Sequence, residues 1–379
     1  MKRKKICFIV SSPETARAFL LLHIDILAKD FDVYLIANFQ NEGQKQLSTS
    51  LKAVFDVKIE RSISLIKDFK ALLALRKIFR KHAFDAIHTV TPKAGLLGIL
   101  AGKLAQIKVR IHIFTGQVWY TKSGLIKLLL ISIDKFIVSL ATNILVDGQA
   151  QRSFLIAHHI IKENNSMVLG KGSISGVDTS RFVPELAIKR KYRKELNYSD
   201  EDVIFLFLGR LNLDKGVIDL AKAFAKLQTE YRSAKLLFIG MDEGNLLPEI
   251  AAIVGSQNFQ FYGSTNEPEL VLQVGDVLCL PSYREGFGTS IIEGSLLELP
   301  IICSDTYGLK ETIIDGETGL RHQVGNIEDI YKQMRELVAA ADKRMEMGKA
   351  GRTYVLENFS ASQISNHWLQ YYKNLLGNV

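Results

Sequence analysis

Short apolar runs of strand length alternate with helix-patterned stretches along almost the whole chain, and no other feature constrains the fold as much. Strand-like runs fall at residues 5–11, 33–37, 86–90, 109–114, 143–146 and 167–169, with helical patterns filling most gaps. Continuous apolar strands joined through helices form parallel sheets buried on both faces. A polar, charged stretch at 184–202 interrupts the rhythm and reads as an interdomain segment. A second series follows at 203–208, 235–239, 259–262, 277–280 and 301–304, and helices dominate from about residue 327. The last helix, about 361–376, carries Trp368, Tyr371 and Tyr372. The sequence therefore predicts an α/β protein of two domains, which 379 residues accommodate. The three cysteines, Cys7, Cys279 and Cys303, are scattered among the apolar runs. They read as core thiols and provide neither a disulfide frame nor a zinc site. The basic start followed by residues 6–10 reads as a first buried strand rather than a signal peptide, because the apolar run is short and Glu14 and Arg17 follow closely. No stretch has the length of an uncharged membrane span. The nearest, 125–141, is interrupted by Lys127, Asp134 and Lys135.

Function concentrates in residues 281–293, Pro-Ser-Tyr-Arg-Glu-Gly-Phe-Gly-Thr-Ser-Ile-Ile-Glu. They join an apolar strand to a helix at about 289–297. Open α/β sheets bind ligands beyond the carboxyl ends of their strands. The free N–H groups of a helix start attract phosphate oxygens. Gly286 and Gly288 allow backbone to approach a ligand where a side chain would collide. Glu293 lies about one turn past Thr289, so it and Glu285 can face one ligand. Carboxylates suit vicinal hydroxyls, and the combination suggests a sugar with a phosphate. A buried turn with two solvated glutamates is the plainer alternative.

A second turn raises the odds. The apolar run 204–208 leads into Gly209-Arg210-Leu211-Asn212-Leu213-Asp214-Lys215-Gly216, and a helix follows at about 217–231. Arg offers a planar fork for phosphate oxygens and Lys a mobile point charge. The alternative is two surface cations, one paired with Asp214.

With these residues in place the chain resembles the retaining glycosyltransferases of family 4. The resemblance rests on Glu285 and Glu293 in their 281–294 context and on Gly209–Gly216. It also rests on Ser175-Gly176-Val177-Asp178 with Arg181-Phe182, and on Asp315-Gly316-Glu317-Thr318-Gly319-Leu320. It implies a GT-B fold, two Rossmann-like domains facing across a cleft. The N-terminal, acceptor-side domain would be 1–183 with a crossover helix at 360–379, and the nucleotide-sugar domain would be 184–359. The co-substrate would be a nucleotide-diphosphate sugar, with no further cofactor. No metal is implied, because Arg210 and Lys215 would neutralise the leaving diphosphate. Glu285, His112, Arg210 and Lys215 are the implied catalytic residues. Gly209, Gly286, Phe287, Gly288, Thr289 and Glu293 are the implied donor-binding set. One departure is Ser11-Ser12-Pro13-Glu14-Thr15, where relatives often carry a glycine pair; proline offers no N–H to a phosphate.

In the N-terminal half, His88 and His112 are expected at strand ends facing the cleft. His112 takes the position of the family histidine that reaches the donor sugar, while His88 admits a cleft or a core role. Trp119 and Tyr120 are open to sugar stacking or to ordinary packing. Resemblance to bacterial family members with a run like His112-Ile113-Phe114-Thr115-Gly116 implies UDP-hexose or UDP-N-acetylhexosamine donors and polyprenyl-diphosphate-linked acceptors of capsule or O-antigen type. The expected location is the cytoplasm, on the inner face of the plasma membrane.

Charge supports a membrane partner. Residues 1–180 hold 26 Lys+Arg and 13 Asp+Glu, while residues 181–379 hold 22 and 27, so the basic excess belongs to the first half. A helix over 65–82 aligns Lys67, Lys70, Lys77 and Lys81 in one stripe, with Ile66, Phe69, Leu72 and Leu73 on other faces. An anionic leaflet fits this excess better than nucleic acid, for which no recognition motif is present. A nucleotide-sugar epimerase and a non-catalytic sugar-nucleotide binder are the alternatives. A glycosidase pair would not need a diphosphate clamp, and a nicotinamide dehydrogenase lacks its Gly-x-Gly-x-x-Gly turn.

Overall fold

The computed structural model describes residues 3–39, 47–60, 62 and 64–377; Met1 and Lys2 of the basic start lie outside them. The chain divides into two compact units, 1–176 with 361–379, and 177–360. Both are parallel α/β sheets of Rossmann type.

The first unit is built on β1 (Lys5–Ile9), β2 (Asp32–Ala37), β3 (Ala53–Asp56), β4 (Ala86–Val90), β5 (Val109–Phe114), β6 (Asn143–Val146) and β7 (Ser166–Met167). Among the described residues these run side by side as β3-β2-β1-β4-β5-β6-β7, every neighbouring pair parallel. Its helices are α1 (Pro13–Phe19), α2 (Leu21–Leu27), α3 (Leu65–His82), α4 (Pro92–Leu104), α5 (Gly124–Leu140) and α6 (Gln149–Ala157). The inward residues of α3 and α4, including Ala71, Leu75, Phe79, Ala94 and Leu97, share one core layer with Cys7 and Ile9 of β1. The opposite face of the sheet packs on α2 and on the chain's closing helix through Phe8, Ile24, Leu27, Trp368 and Tyr372.

The second unit carries β8 (Val203–Leu208), β9 (Ala234–Ile239), β10 (Phe259–Gly263), β11 (Val277–Leu280), β12 (Ile301–Ser304) and β13 (Gly319–His322). Their order is β10-β9-β8-β11-β12-β13, again parallel. Its helices are α7 (Leu186–Glu195), α8 (Val217–Gln228), α9 (Leu247–Val254), α10 (Pro268–Val271), α11 (Thr289–Leu296), α12 (Ile327–Ala339) and α13 (Ala341–Asn358); α14 (Ala361–Leu376) returns to the first unit.

The central strands follow the sequence expectation closely, because each is built mostly from apolar residues. Two strands, β3 and β13, escape it. Both occupy sheet edges, where one side is unpaired and no unbroken apolar run is required. The stretch 184–202 is not a bare linker. Helix α7 lies within it, and two of its cations are spent on Asp276, which receives Lys189 Nζ at 2.8 Å and Arg193 Nη2 at 2.5 Å together with the Ile204 N–H at 2.9 Å. The division between units falls after Gly176 instead. All three cysteines are buried in strands.

Candidate active site

In each sheet the strand order reverses once, between β1 and β4 and between β8 and β11. At such a switch point the flanking loops diverge and leave a crevice beyond the strands' carboxyl ends. In the second unit the loops that leave β8 and β11 are the two turns singled out from sequence, and they are stitched together. Lys215 Nζ bonds Glu285 Oε1, and Ser282 Oγ donates to the same oxygen at 2.8 Å. Arg284 Nε donates to Asp214 Oδ2 at 2.9 Å, and the Tyr283 N–H donates to the Asp214 carbonyl at 2.8 Å. Tyr283 Oη donates to Asp219 Oδ2 on α8 at 2.7 Å.

Two glycines make this proximity possible. Gly216 has φ 68°, and a Cβ there would stand 2.1 Å from the Pro281 carbonyl oxygen. A Cβ on Gly308, in the loop after β12, would stand 2.2 Å from the Glu285 carbonyl oxygen. That third loop is tied in by Ser304 Oγ bonding the Ser282 carbonyl and by Thr306 Oγ1 donating to the Tyr283 carbonyl at 3.3 Å. Helix α11 begins at Thr289 behind Gly288, with no side chain capping its first N–H groups. Those donors and the positive end of the helix are thus available to an anion.

Lys215 and Glu285 are largely buried, so their pairing fixes both side chains at the mouth of the crevice. Arg210 is exposed and donates through Nη1 to Glu243 at 2.7 and 2.9 Å, while Asn212 Nδ2 donates to Glu243 Oε2 at 2.7 Å. Glu243 follows β9, outside both motifs, and no local pattern marks it in the sequence. Glu293 is half-buried on α11. Burial pushes its carboxyl up to about 7; Arg181 opposes the shift and Glu269 adds to it. Arg181 in turn holds Glu269, Nη2 to Oε2, at 2.7 Å.

Other expected site residues lie elsewhere. The Phe287 side chain is buried and packs at an angle on Phe359, with ring centroids 5.2 Å apart. It belongs to the core, leaving only its backbone to the loop. His88 is the third residue of β4 rather than a strand-end residue. It is fully buried, bonds Tyr372 Oη at 2.7 Å and stacks on Trp368 at 4.8 Å. Its role is core packing. His112, the fourth residue of β5, is 2% exposed. Its Nδ1 pairs with Thr89 Oγ1 at 2.9 Å, and burial lowers its pKa to about 3, with a bond to the Thr89 backbone opposing. The ring is neutral at physiological pH. Trp119 is buried, donates to Asp134 Oδ2 at 2.7 Å and stacks on Phe154, which leaves it no free face for sugar. Tyr120 remains exposed. At the first unit's switch point, Pro13 opens α1 and Thr91 Oγ1 donates to Ser11 Oγ at 3.3 Å.

Residues 188–354 match the family described as Glycosyl transferases group 1, and residues 5–148 match Glycosyl transferase 4-like. The chain is a glycosyltransferase of family-4 type. Among its relatives, this glycosyltransferase is 29% identical over 369 residues to the capsular polysaccharide biosynthesis glycosyltransferase CapM of Staphylococcus aureus, covering 96% of this chain and 95% of that one. It is 25% identical over 345 residues to an Escherichia coli UDP-Gal:alpha-D-GlcNAc-diphosphoundecaprenol alpha-1,3-galactosyltransferase, covering 88% and 86%. Sucrose-phosphate synthase from Thermosynechococcus elongatus superposes with a TM-score of 0.84 at 20% identity over the whole of both chains, which places the glycosyltransferase in the GT-B fold.

Proposed function

We propose that this glycosyltransferase moves a hexosyl or N-acetylhexosaminyl group from a UDP-sugar to a hydroxyl of a polyprenyl-diphosphate-linked glycan, with retention at the anomeric carbon. The work would belong to capsule or O-antigen assembly at the cytoplasmic side of the membrane. The observation that carries the reading is the meeting of Lys215 and Glu285 from separate loops at the β8/β11 switch point. A cation and a hydroxyl-binding carboxylate side by side suit the junction between a diphosphate and a sugar. The chemistry named for relatives supports the class of substrates: UDP-galactose with a diphosphoundecaprenol acceptor in one, and N-acetylgalactosaminyl transfer to a diphospho-undecaprenol acceptor in another.

In the reaction the bond between the anomeric carbon and the diphosphate oxygen breaks. The acceptor oxygen bonds that carbon from the same face, and its proton passes to the departing phosphate oxygen. Lys215 and Arg210 stabilise the charge that grows on the diphosphate, the interaction that usually contributes most. No metal enters this scheme. Glu285, oriented by Lys215 and Ser282, accepts hydrogen bonds from the sugar hydroxyls, while the N–H groups at the start of α11 face the phosphates. Glu293 accepts from the ribose hydroxyls. His112, neutral and held by Thr89, is assigned to the reacting sugar by its family position. Release of UDP should require both a UDP-sugar and a polyprenyl-diphosphate-linked acceptor, and proton couplings of the product should show the donor's anomeric configuration. An inverted product contradicts the mechanism. Turnover of the nucleotide sugar alone would favour an epimerase.

A further inference from the structure

We propose that the outer face of α3, α4 and α5 is a docking surface for an anionic lipid bilayer, with α5 as its apolar edge. Helix α4 packs against both α3 and α5, so the three form one side of the first unit. In α5 apolar residues face solvent as well as the core. Leu125 (84% exposed), Leu129 (53%) and Phe136 recur at helical spacing on the solvent side, with Ile126 and Leu128 beside them. Asp134, by contrast, faces inward to Trp119. Solvent-facing apolar stripes of this size mark a binding surface.

Helix α3 repeats the pattern in a form the sequence does not reveal. Its core side is Ala71, Leu75 and Phe79. Ile66 (72% exposed), Phe69 (60%) and Leu73 therefore share the outer side with the lysines instead of lying across from them. Lys67 is held by Glu60 at 2.9 and 3.0 Å and so contributes less than the sequence suggests. Its place is taken by Arg76 and Arg80, which with Leu73, Lys77 and Lys81 line a shallow concavity of about 450 Å³. Four cations around one apolar side chain suit a lipid phosphate above its acyl chains.

Charge selects the occupant. Residues 65–140 hold 13 Lys+Arg and three acidic residues. None of the three is free: Asp68 pairs with Lys93 at 2.7 Å, Asp85 with Lys4 at 3.0 Å, and Asp134 is buried. The surface is thus basic and apolar with no exposed acid unpaired. That combination describes a helix lying in the interface of an anionic membrane. No helix among the described residues is long and apolar enough to cross one.

The proposal extends the reading of a lipid-linked acceptor to the surface that meets the lipid. Its test uses neither donor nor acceptor, so failure of docking and failure of transfer are separate results. The full chain is sedimented with phosphatidylglycerol/phosphatidylcholine vesicles and with phosphatidylcholine alone. Each cation near such a surface is worth about fivefold in partition. Changing Lys70, Lys77, Arg80 and Lys81 to Glu should therefore weaken binding more than about a hundredfold, and added salt should weaken the wild type. A Leu129→Trp variant should shift its emission to the blue on the anionic vesicles, against a constant background from Trp119 and Trp368, which are buried. Unchanged binding by the charge variant, or no binding at low salt, overturns the proposal. So does a concentration-dependent dimer that Leu125→Gln/Leu129→Gln abolishes while vesicle binding persists, because the face would then belong to a second copy.

Discussion

Glu293→Gln should stabilise the protein while weakening its hold on nucleotide. The carboxyl titrates near 4.5 in the unfolded chain and is pushed up to about 7 in the fold, chiefly by burial. Between those values the native state holds the proton that the unfolded chain has lost. Stability therefore falls as pH rises through this window, and the full cost is present above pH 7. A shift of this size is worth about 3 kcal/mol. Solvent still reaches part of the side chain, and Gln forgoes the attraction of Arg181, so the figure is an upper limit. Gln keeps the shape and cannot ionise, so the variant should melt higher at pH 8, by several degrees for a unit of this size. Its advantage should shrink below about 1 kcal/mol at pH 5 and vanish near pH 4. Calorimetry across pH 4–8 reads the stability, and titration with UDP reads the affinity. A Glu kept in a place where it destabilises the empty protein, yet needed for the ligand, is the mark of a binding residue. Equal melting of variant and wild type at pH 8, or undiminished UDP affinity, would refute the reasoning.

Arg210→Ala and Lys215→Ala should each reduce turnover by about a hundredfold, but their stability effects should differ. Arg210 leaves an exposed pair worth under about 1 kcal/mol, whereas Lys215 leaves Glu285 largely buried without its cation, at about 3–5 kcal/mol; melting curves beside kcat decide, and near-normal transfer by the double mutant would remove the diphosphate role. Acid should loosen α14: Trp368 is sandwiched between His23 and His88 at 4.7 and 4.8 Å, and burial lowers both pKa values, that of His23 to about 4 with the bond its ring donates to the Ile174 carbonyl opposing. These depressed histidines contribute stability present above the unfolded value near 6.5 and lost as pH falls toward 4, so hydrogen exchange of α14 should accelerate over that range, and a flat profile would be contrary. Gly95→Ala should displace His112, because a Cβ there would lie 2.5 Å from Cε1 of the ring; kcat should fall with UDP affinity unchanged, and an unaltered kcat would separate His112 from the reacting sugar.

The residues themselves show which parts of the fold and site were legible in the sequence. Strands β8 and β11 are unbroken apolar runs, and β4, β5 and β12 are mostly apolar, because they lie inside a sheet covered on both faces, and burial writes itself into composition. The edge strands β3 and β13 carry no such mark, whereas β7 and β10, also at edges, were legible. The two loops of the second unit were legible because glycines and charges must sit at fixed offsets from a strand end. The partners of those charges were not: Glu243 meets Arg210 across 33 positions, and Glu285 meets Lys215 across 70. Such pairings depend on which strands become neighbours, which periodicity does not encode. Histidines mislead for a related reason. A strand places alternate side chains on opposite faces, but only the packing of α14 decides that His88 meets Tyr372 and Trp368. On α3 the apolar and basic residues were assigned to different sides, since sequence alone does not say which side the sheet claims.

Hydrogen exchange of the full chain with and without UDP tests most directly where the donor binds. Protection should rise in peptides spanning 209–216 and 281–293, and Lys215→Ala should lose both effects together. Protection confined to the loops after β1 and β4, with 209–216 and 281–293 unchanged, would contradict a donor site at the β8/β11 switch point.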